Sequence, residues 1–265
     1  DFSYRVKAIS TITRQKHMIA SEKGPWANSY DRWRSDNLTN RYQGVQFGYT
    51  SAGRYTSWND IWSYPGYKER DILPGDYKYE DWNGDGEING QDEHPFAFDQ
   101  TPWLQFSLNA GLQWKNFDFN MLLQGSALGS MEYKEPLHEI WGKNGGGALT
   151  QFLDRWHPVD PKADPYDPST VWTSGHYAYT GRWAKNNSAF NRVSTAYLRL
   201  KSIELGYTFP KLKQIPNASL RVYANAYNLL TFTGVKFVDP EHPDDDLGRM
   251  YPLNKTYTLG VSLSF

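Results

Sequence analysis

The chain has 265 residues, 28 basic against 29 acidic side chains for a formal charge of -1, and no cysteine. The balanced charge gives no general pull towards nucleic acid, and the missing cysteines exclude disulfides, thiolate metal sites and cysteine nucleophiles together. No run approaches the ~20 apolar residues of a membrane helix, so a chain with 11 Trp, 19 Tyr and 13 Phe could span a bilayer only through strands, whose alternation hides hydrophobicity from a window average.

From Asp1 to Ile9 there is neither a basic n-region nor an apolar core, so the sequence predicts that a leader was removed or that the chain begins downstream of one. Period-two alternation then begins at once, placing successive side chains on opposite faces of a strand. Phe2, Tyr4, Val6, Ala8 and Ile12 oppose Ser3, Arg5, Lys7, Thr11 and Thr13, which predicts a strand near 2–14. A long stretch, 15–100, shows no such pattern. A second strand is predicted near 103–114, where Leu104, Phe106, Leu108, Ala110, Leu112 and Trp114 face away from Gln105, Ser107, Asn109, Gly111 and Gln113. Lys115 and Asn116 read as a tight hairpin into a third strand near 117–128. After a second long stretch, 129–192, a fourth strand is predicted near 194–209. Its apolar parity switches from Ala196, Leu198 and Leu200 to Ile203, Leu205 and Tyr207, which predicts a bulge near Lys201 and Ser202. A Pro-bounded turn leads to a fifth strand near 218–231. After a third long stretch, 232–253, a last strand is predicted near 254–265, with Tyr257, Leu259, Val261, Leu263 and Phe265 on one side.

Such strands admit two architectures. One is a soluble carbohydrate-binding β-sandwich with a structural calcium site. The other is an all-β transmembrane antiparallel barrel with long extracellular loops. Runs of about 10 to 12 residues match tilted membrane strands better than the ~5–6 residues of soluble sheets. Small and polar residues fill the second face, as a wet lumen requires, and connections alternate between very short and very long. Six strands in three hairpins fit a barrel section whose loops 15–100, 129–192 and 232–253 lie on one side. A barrel without a lipid-facing edge needs at least about 8 strands, so the remainder must come from other sequence or other copies.

Tyr197-Leu198-Arg199-Leu200-Lys201 followed by Leu205-Gly206-Tyr207-Thr208-Phe209-Pro210 resembles the near-terminal strand of SusC-like TonB-dependent transporters (the SusC/RagA family). Further words occur in that family's order: Pro74-Gly75-Asp76, Asp81-Trp82-Asn83-Gly84-Asp85-Gly86, Gln124-Gly125, Leu220-Arg221-Val222-Tyr223, Asn228-Leu229-Leu230-Thr231, Asp239-Pro240-Glu241, Tyr251-Pro252 and Phe265. The resemblance implies the C-terminal portion of a barrel of about 22 strands, working in the outer membrane of Bacteroidetes-type bacteria. It also implies as partners the plug and earlier strands of the same transporter, TonB, a SusD-like surface lipoprotein and membrane lipid. The implied cargo is a nutrient oligomer, with oligosaccharide preferred and peptide second. No plug domain lies within 1–265, and no nucleic-acid partner is expected.

Several residue sets outside the strands suggest sites. Asp81 to Asp92 reads D-W-N-G-D-G-E-I-N-G-Q-D, with oxygen donors at Asp81, Asn83, Asp85 and Asp92, a backbone carbonyl at Glu87, and Asn89 acting directly or through water. Hard oxygens at this spacing suit Ca²⁺, while an Asp in place of Glu at the last position shortens the reach. An Asx and Gly turn without an ion is the alternative. Tryptophans crowd the loops, and Trp141, Trp172 and Trp183 are the candidates for stacking on substrate; loop packing is the competing role. Tyr257 and Phe265 on the closing strand are candidates for the signal read by the outer-membrane insertion machinery, or simply interfacial anchors. The six histidines lack zinc-site spacing, and no nucleophile-elbow or phosphate-loop motif is present, so no enzymatic activity is expected.

Overall fold

A computed structural model describes residues 2–20, 24–34, 38–67, 71–134, 137–138, 140, 148–181, 187–209, 218–241, 251 and 253–265. The alternating runs pair into one antiparallel sheet of six strands in chain order: β1 (Phe2–Ile12), β2 (Leu104–Trp114), β3 (Phe117–Ala127), β4 (Tyr197–Phe209), β5 (Ser219–Thr233) and β6 (Thr256–Ser264). The fourth strand starts at Tyr197 rather than 194, because Arg192–Ser194 pair instead with Ser130–Glu132 in a small loop sheet. The fifth extends to Thr233, held by the pairs Leu198↔Phe232 and Tyr197↔Thr233. Strands of 11 residues rise ~3.4 Å per residue. Tilted by ~45°, they span about 26 Å, close to the ~25 Å apolar band of an outer-membrane barrel.

The sheet is inside out relative to a soluble protein. Its apolar rows are open, with Leu259 85% and Val261 68% exposed, whereas the buried cluster of Tyr49, Tyr79 and Ile88 lies in the first long connection. No second sheet packs on these rows among the described residues, which sets the sandwich aside. A band of Leu and Val left in water on this scale would drive association; against acyl chains it costs nothing. At the end bearing the Lys115 turn, aromatic rings line the same face. Trp114 and Phe117 stack at 6.5 Å, and Tyr207 meets Phe117 at 4.8 Å and Phe209 at 4.8 Å. Rings of this kind sit at the level of lipid headgroups. No helix among the described residues is long and apolar enough to cross a membrane.

The parity switch in β4 is a bulge. Leu200 pairs with Leu123 and Leu230, Ser202 pairs with Leu122 and Tyr227, and Lys201 is skipped on both sides. On β5, Asn228 and Leu229 are skipped as well, with Asn228 at φ 52, a left-handed value that Asn tolerates better than most residues. Without this irregularity Arg199 would share a face with Ile203, Leu205 and Tyr207, because a one-residue slip turns every side chain over. With it, Arg199 points to the polar side while Leu198, Leu200 and Ile203 stay on the apolar side.

The connections β1–β2, β3–β4 and β5–β6 leave from one end of the sheet and carry their own small elements. In the first, Val45–Gly48 pairs with His94–Phe98 and Ser51–Arg54 with Tyr77–Tyr79. Two short helices, α1 (Ser29–Arg34) and α2 (Trp58–Ser63), belong to the same connection. The second packs on the first through the Tyr49 N–H to the Asn187 carbonyl (3.1 Å) and the Thr180 hydroxyl to Asp76 (3.3 Å).

Candidate functional site

The polar face of the sheet carries two charged assemblies. Near the loop end Arg199, 1% exposed, lies against the Tyr197 ring and holds Asp239 and Glu241 from the last connection, each at 2.5 Å. Its Nε donates to the Thr231 hydroxyl at 3.0 Å, and the Tyr197 hydroxyl donates to Glu241 at 2.8 Å. Each of the three guanidinium nitrogens thus has an acceptor, and two of the acceptors are carboxylates, as a cation so far from solvent requires. This knot pins the Asp239–Glu241 segment over the polar face.

Nearer the turn end Arg221 reaches across two strands. It donates to Asp118 through Nε at 3.0 Å and through Nη2, and to Glu204 at 2.6 Å, while Asn225 donates to the other Glu204 oxygen at 3.4 Å. Gly206 sits between them. A Cβ there would lie 2.5 Å from both Arg221 Nη2 and Asp118 Oδ2, so the guanidinium can cross the sheet only over a glycine. Sequence reasoning did not single out either assembly. The available signal was parity: with the bulge counted, Asp118, Glu204 and Arg221 share the polar face.

Between the Arg199 knot and β2 lies a hollow of about 630 Å³, lined among others by Gln105, Ser107, Gln124, Ser126, Tyr197 and Glu241. Amides and hydroxyls share this wall with Ile9, Phe106 and Leu122, and the Glu241 carboxylate is engaged by Tyr197 and Arg199.

The Asp81–Asp92 loop is ordered by its own side chains. The Asp81 carboxylate accepts the backbone N–H groups of Gly84 (2.7 Å), Asp85 (3.2 Å) and Gly86 (2.8 Å). Asn83 and Asp85 accept from Asp85 and Glu87 in turn, and the Glu87 N–H, then the Asn83 side chain, hold the Asp85 carboxyl below the usual carboxylate range. Asp92, 1% exposed, accepts from Trp82, Asn83 and Asn89, and the Asn89 side chain completes a capping box over Gly90–Asp92. Helix α1 docks here through Arg34 to the Gly90 carbonyl and Tyr30 to the Gln91 carbonyl, both at 2.9 Å. The oxygens of Asp81, Asn83 and Asp85 accept from the loop's own N–H groups, and Asp92 is likewise turned to the backbone. Among the described residues no three His, Asp or Glu side chains converge in a metal-holding group.

Of the three candidate tryptophans, Trp172 pairs with Pro158 in a loop strand and meets Tyr179 edge-on at 5.4 Å, while Trp141 and Trp183 lie outside the described residues. Tyr257 and Phe265 both sit on the open apolar side, Phe265 being 96% exposed just beyond the end of β6.

A single antiparallel sheet with an open apolar face, an aromatic rim, a polar opposite face and two unpaired edge strands, β1 and β6, defines a section of a transmembrane β-barrel. Comparison with known proteins gives the section its kind. The chain is 28% identical over 211 residues to the TonB-dependent receptor P3 of Formosa agariphila, covering 74% of this chain and 19% of that protein. To the TonB-dependent receptor SusC of Bacteroides thetaiotaomicron it is 26% identical over 210 residues, 78% of this chain and 19% of SusC. The structure of the RagAB peptide transporter superposes on 100% of the chain and 27% of its own length, with a TM-score of 0.64 at 19% identity. The RagAB peptide importer in an open-open state gives 0.60 at 18% identity. No protein-family profile matches. The chain's relatives are therefore TonB-dependent receptors of the SusC kind. Its fold is that of part of their outer-membrane barrel, and it spans 19% of the length of the relatives P3 and SusC.

Proposed function

We propose that this chain supplies the closing section of an outer-membrane barrel that imports nutrient oligomers, energised through TonB and capped by a SusD-like lipoprotein, with the plug and earlier strands contributed by the rest of the same transporter. The observation that carries the reading is the polar face itself, where Gln105, Ser107, Gln124 and Ser126 offer amides and hydroxyls around a hollow of about 630 Å³ behind a lipid-facing wall. Neutral donors and acceptors at that density suit a hydroxyl-rich oligosaccharide, the preferred cargo. Peptide is the second reading, favoured by the peptide-transporter description of RagAB. The test is growth of a strain lacking the receptor on oligosaccharides or oligopeptides as sole carbon source. Loss of growth on an oligosaccharide but not on its monosaccharide is expected. Loss on peptides alone transfers the cargo to the second reading, and unchanged growth on both overturns import.

We further propose that the Asp81–Asp92 loop binds Ca²⁺ through Asp81, Asn83, Asp85, the Glu87 carbonyl, Asn89 and Asp92. Because the carboxylates already cap the loop's backbone, the ion adds rigidity rather than nucleating the fold. Calorimetric titration of the chelated receptor with Ca²⁺ should show one weak site, at about 10⁻⁴–10⁻³ M as in extracellular modules, that Asp81→Asn and Asp85→Asn abolish; heat signals equal in variant and wild type would remove the ion from the account. Trp141, Trp172 and Trp183 are proposed to contact the cargo. Tyr257 and Phe265 are proposed as the insertion signal. Deleting Phe265 should lower the amount of folded receptor in outer-membrane fractions severalfold, whereas unchanged insertion would leave it as an anchor only.

A further inference from the structure

Just beyond β1, where its chain leaves the apolar band, stand two cations, Arg14 and Lys16. The Arg14 guanidinium lies 4.6 Å from the centre of the Trp103 ring and 5.6 Å from that of Tyr42, and the Lys16 ammonium lies 5.8 Å from Tyr42. The backbone on either side of them is held. The Thr13 N–H reaches the Trp103 carbonyl at 2.9 Å, the Gln43 N–H reaches the Gln15 carbonyl at 2.9 Å, and Lys16 pairs with Tyr42 in a short loop ladder. Both cations are exposed, and neither makes an ion pair or a side-chain hydrogen bond among the described residues.

The strands fix their height relative to the bilayer. Trp103 immediately precedes β2 and Trp114 ends it, so the two rings mark opposite ends of one membrane-spanning run. Since the Trp114 rim lies at the turn end, Trp103, Tyr42 and the cations stacked on them stand at the headgroup level of the loop side. Ile12, 65% exposed, closes the lipid-facing row of β1, and counting on by twos brings Arg14 and Lys16 to the same side. Their meeting on the one Tyr42 ring agrees with this. Past them Met18 and Ile19 are again apolar, 69% and 90% exposed. A cation pair bounded on both sides by exposed apolar side chains is the pattern of an interfacial segment, not of a loop in bulk water.

We propose that Arg14 and Lys16 form a binding site for the phosphate of a lipid headgroup in the external leaflet, with the acyl chains of the same lipid lying along the Ile12 side of β1. The aromatic rings restrict both side chains, so less freedom is lost when they close on an anion. The guanidinium offers a planar pair of donors that matches two phosphate oxygens, and the ammonium adds a second point charge beside it. A lipid is the occupant, and not free phosphate, because the site continues the lipid-facing wall: the cations begin where the apolar row of Val6, Ala8 and Ile12 ends. The site concerns neither cargo nor import. It rests on the outer-membrane barrel and on the loops facing outwards.

The test is native mass spectrometry of the full-length protein carrying this chain, released from a neutral detergent after titration with phosphorylated lipid A, the glycolipid of outer-membrane external leaflets, or with the same lipid after phosphatase treatment. Saturable retention of the phosphorylated lipid is expected, with little retention of the dephosphorylated form. Arg14→Gln and Lys16→Gln should each weaken binding about fivefold, and the double variant about 25-fold. Lys115→Gln, at a lysine likewise set over a ring (Trp114, 5.3 Å) but at the turn end, should leave affinity unchanged. All three side chains are exposed, so the variants should fold, which heat-modifiable mobility checks. At equal ionic strength inorganic phosphate should displace no more lipid than chloride does. Equal retention of the dephosphorylated lipid, wild-type affinity in the double variant, a loss in Lys115→Gln as large as in Lys16→Gln, or displacement by phosphate beyond that by chloride would each overturn the proposal.

Discussion

Arg199 shows how much one side chain can organise here. It is buried on the polar face and draws two carboxylates of the last connection onto the wall, so its charge is compensated only while Asp239 and Glu241 stay docked. His138, in the second connection, is buried in the opposite sense: burial pushes its imidazole down to about 4. Between that value and the ~6.5 of an unfolded histidine, the unfolded chain binds more protons. Stability from this residue is therefore complete above about pH 6.5 and lost as pH falls towards 4. For a ring only partly shielded from water the loss should be about 1–2 kcal/mol. Thermal denaturation of the loop region from pH 7 to 4 should show this slope, and His138→Leu should flatten it; a parallel slope in the variant would assign the effect elsewhere.

Among the elements, β4 is the one whose irregularity has consequences on both faces. Skipping Lys201 lets Tyr197 and Arg199 face inward while Ile203, Leu205 and Tyr207 face outward. Deleting Lys201 alone would join Leu200 to Ser202 and leave every side chain on its present face, but deleting Lys201 and Ser202 together would force one half of the strand to present the wrong face, setting either the guanidinium or the Leu row in the wrong solvent. No folded, heat-modifiable protein should be recovered from the double deletion, whereas the single deletion and Lys201→Ala should both fold. Recovery of the folded double-deletion variant would overturn this account of the two faces. The Asp81–Asp92 loop works on a different principle, in which short acidic side chains satisfy their own backbone and leave a preformed turn against α1.

Taken whole, the molecule keeps its apolar rows open on the sheet and its compact cores in the loops, which is stable only with lipid on one side and an enclosed polar space on the other. Leu259 and Thr258 are neighbours on β6 that face opposite ways, Thr258 opposite Asn225 and Leu259 opposite Ala224. In the protein folded into vesicles, Leu259→Arg should cost about 2–4 kcal/mol in urea unfolding, and Thr258→Arg less than ~1 kcal/mol. The reverse order would exchange the two faces. The strands and their sidedness were legible in the sequence because alternation is a local property: each residue's face depends only on its distance along the strand, and even the bulge was visible as a break in parity. The charged assemblies, Arg199 with Asp239 and Glu241 and Arg221 with Asp118 and Glu204, were not, since their members lie up to 103 residues apart and meet only through strand register. The same holds for Arg14 and Lys16, which meet Tyr42 and Trp103 only where the first connection folds back. Periodicity is written in neighbouring residues; which distant side chains share a site is settled only when the sheet fixes its register and the loops fold back over it.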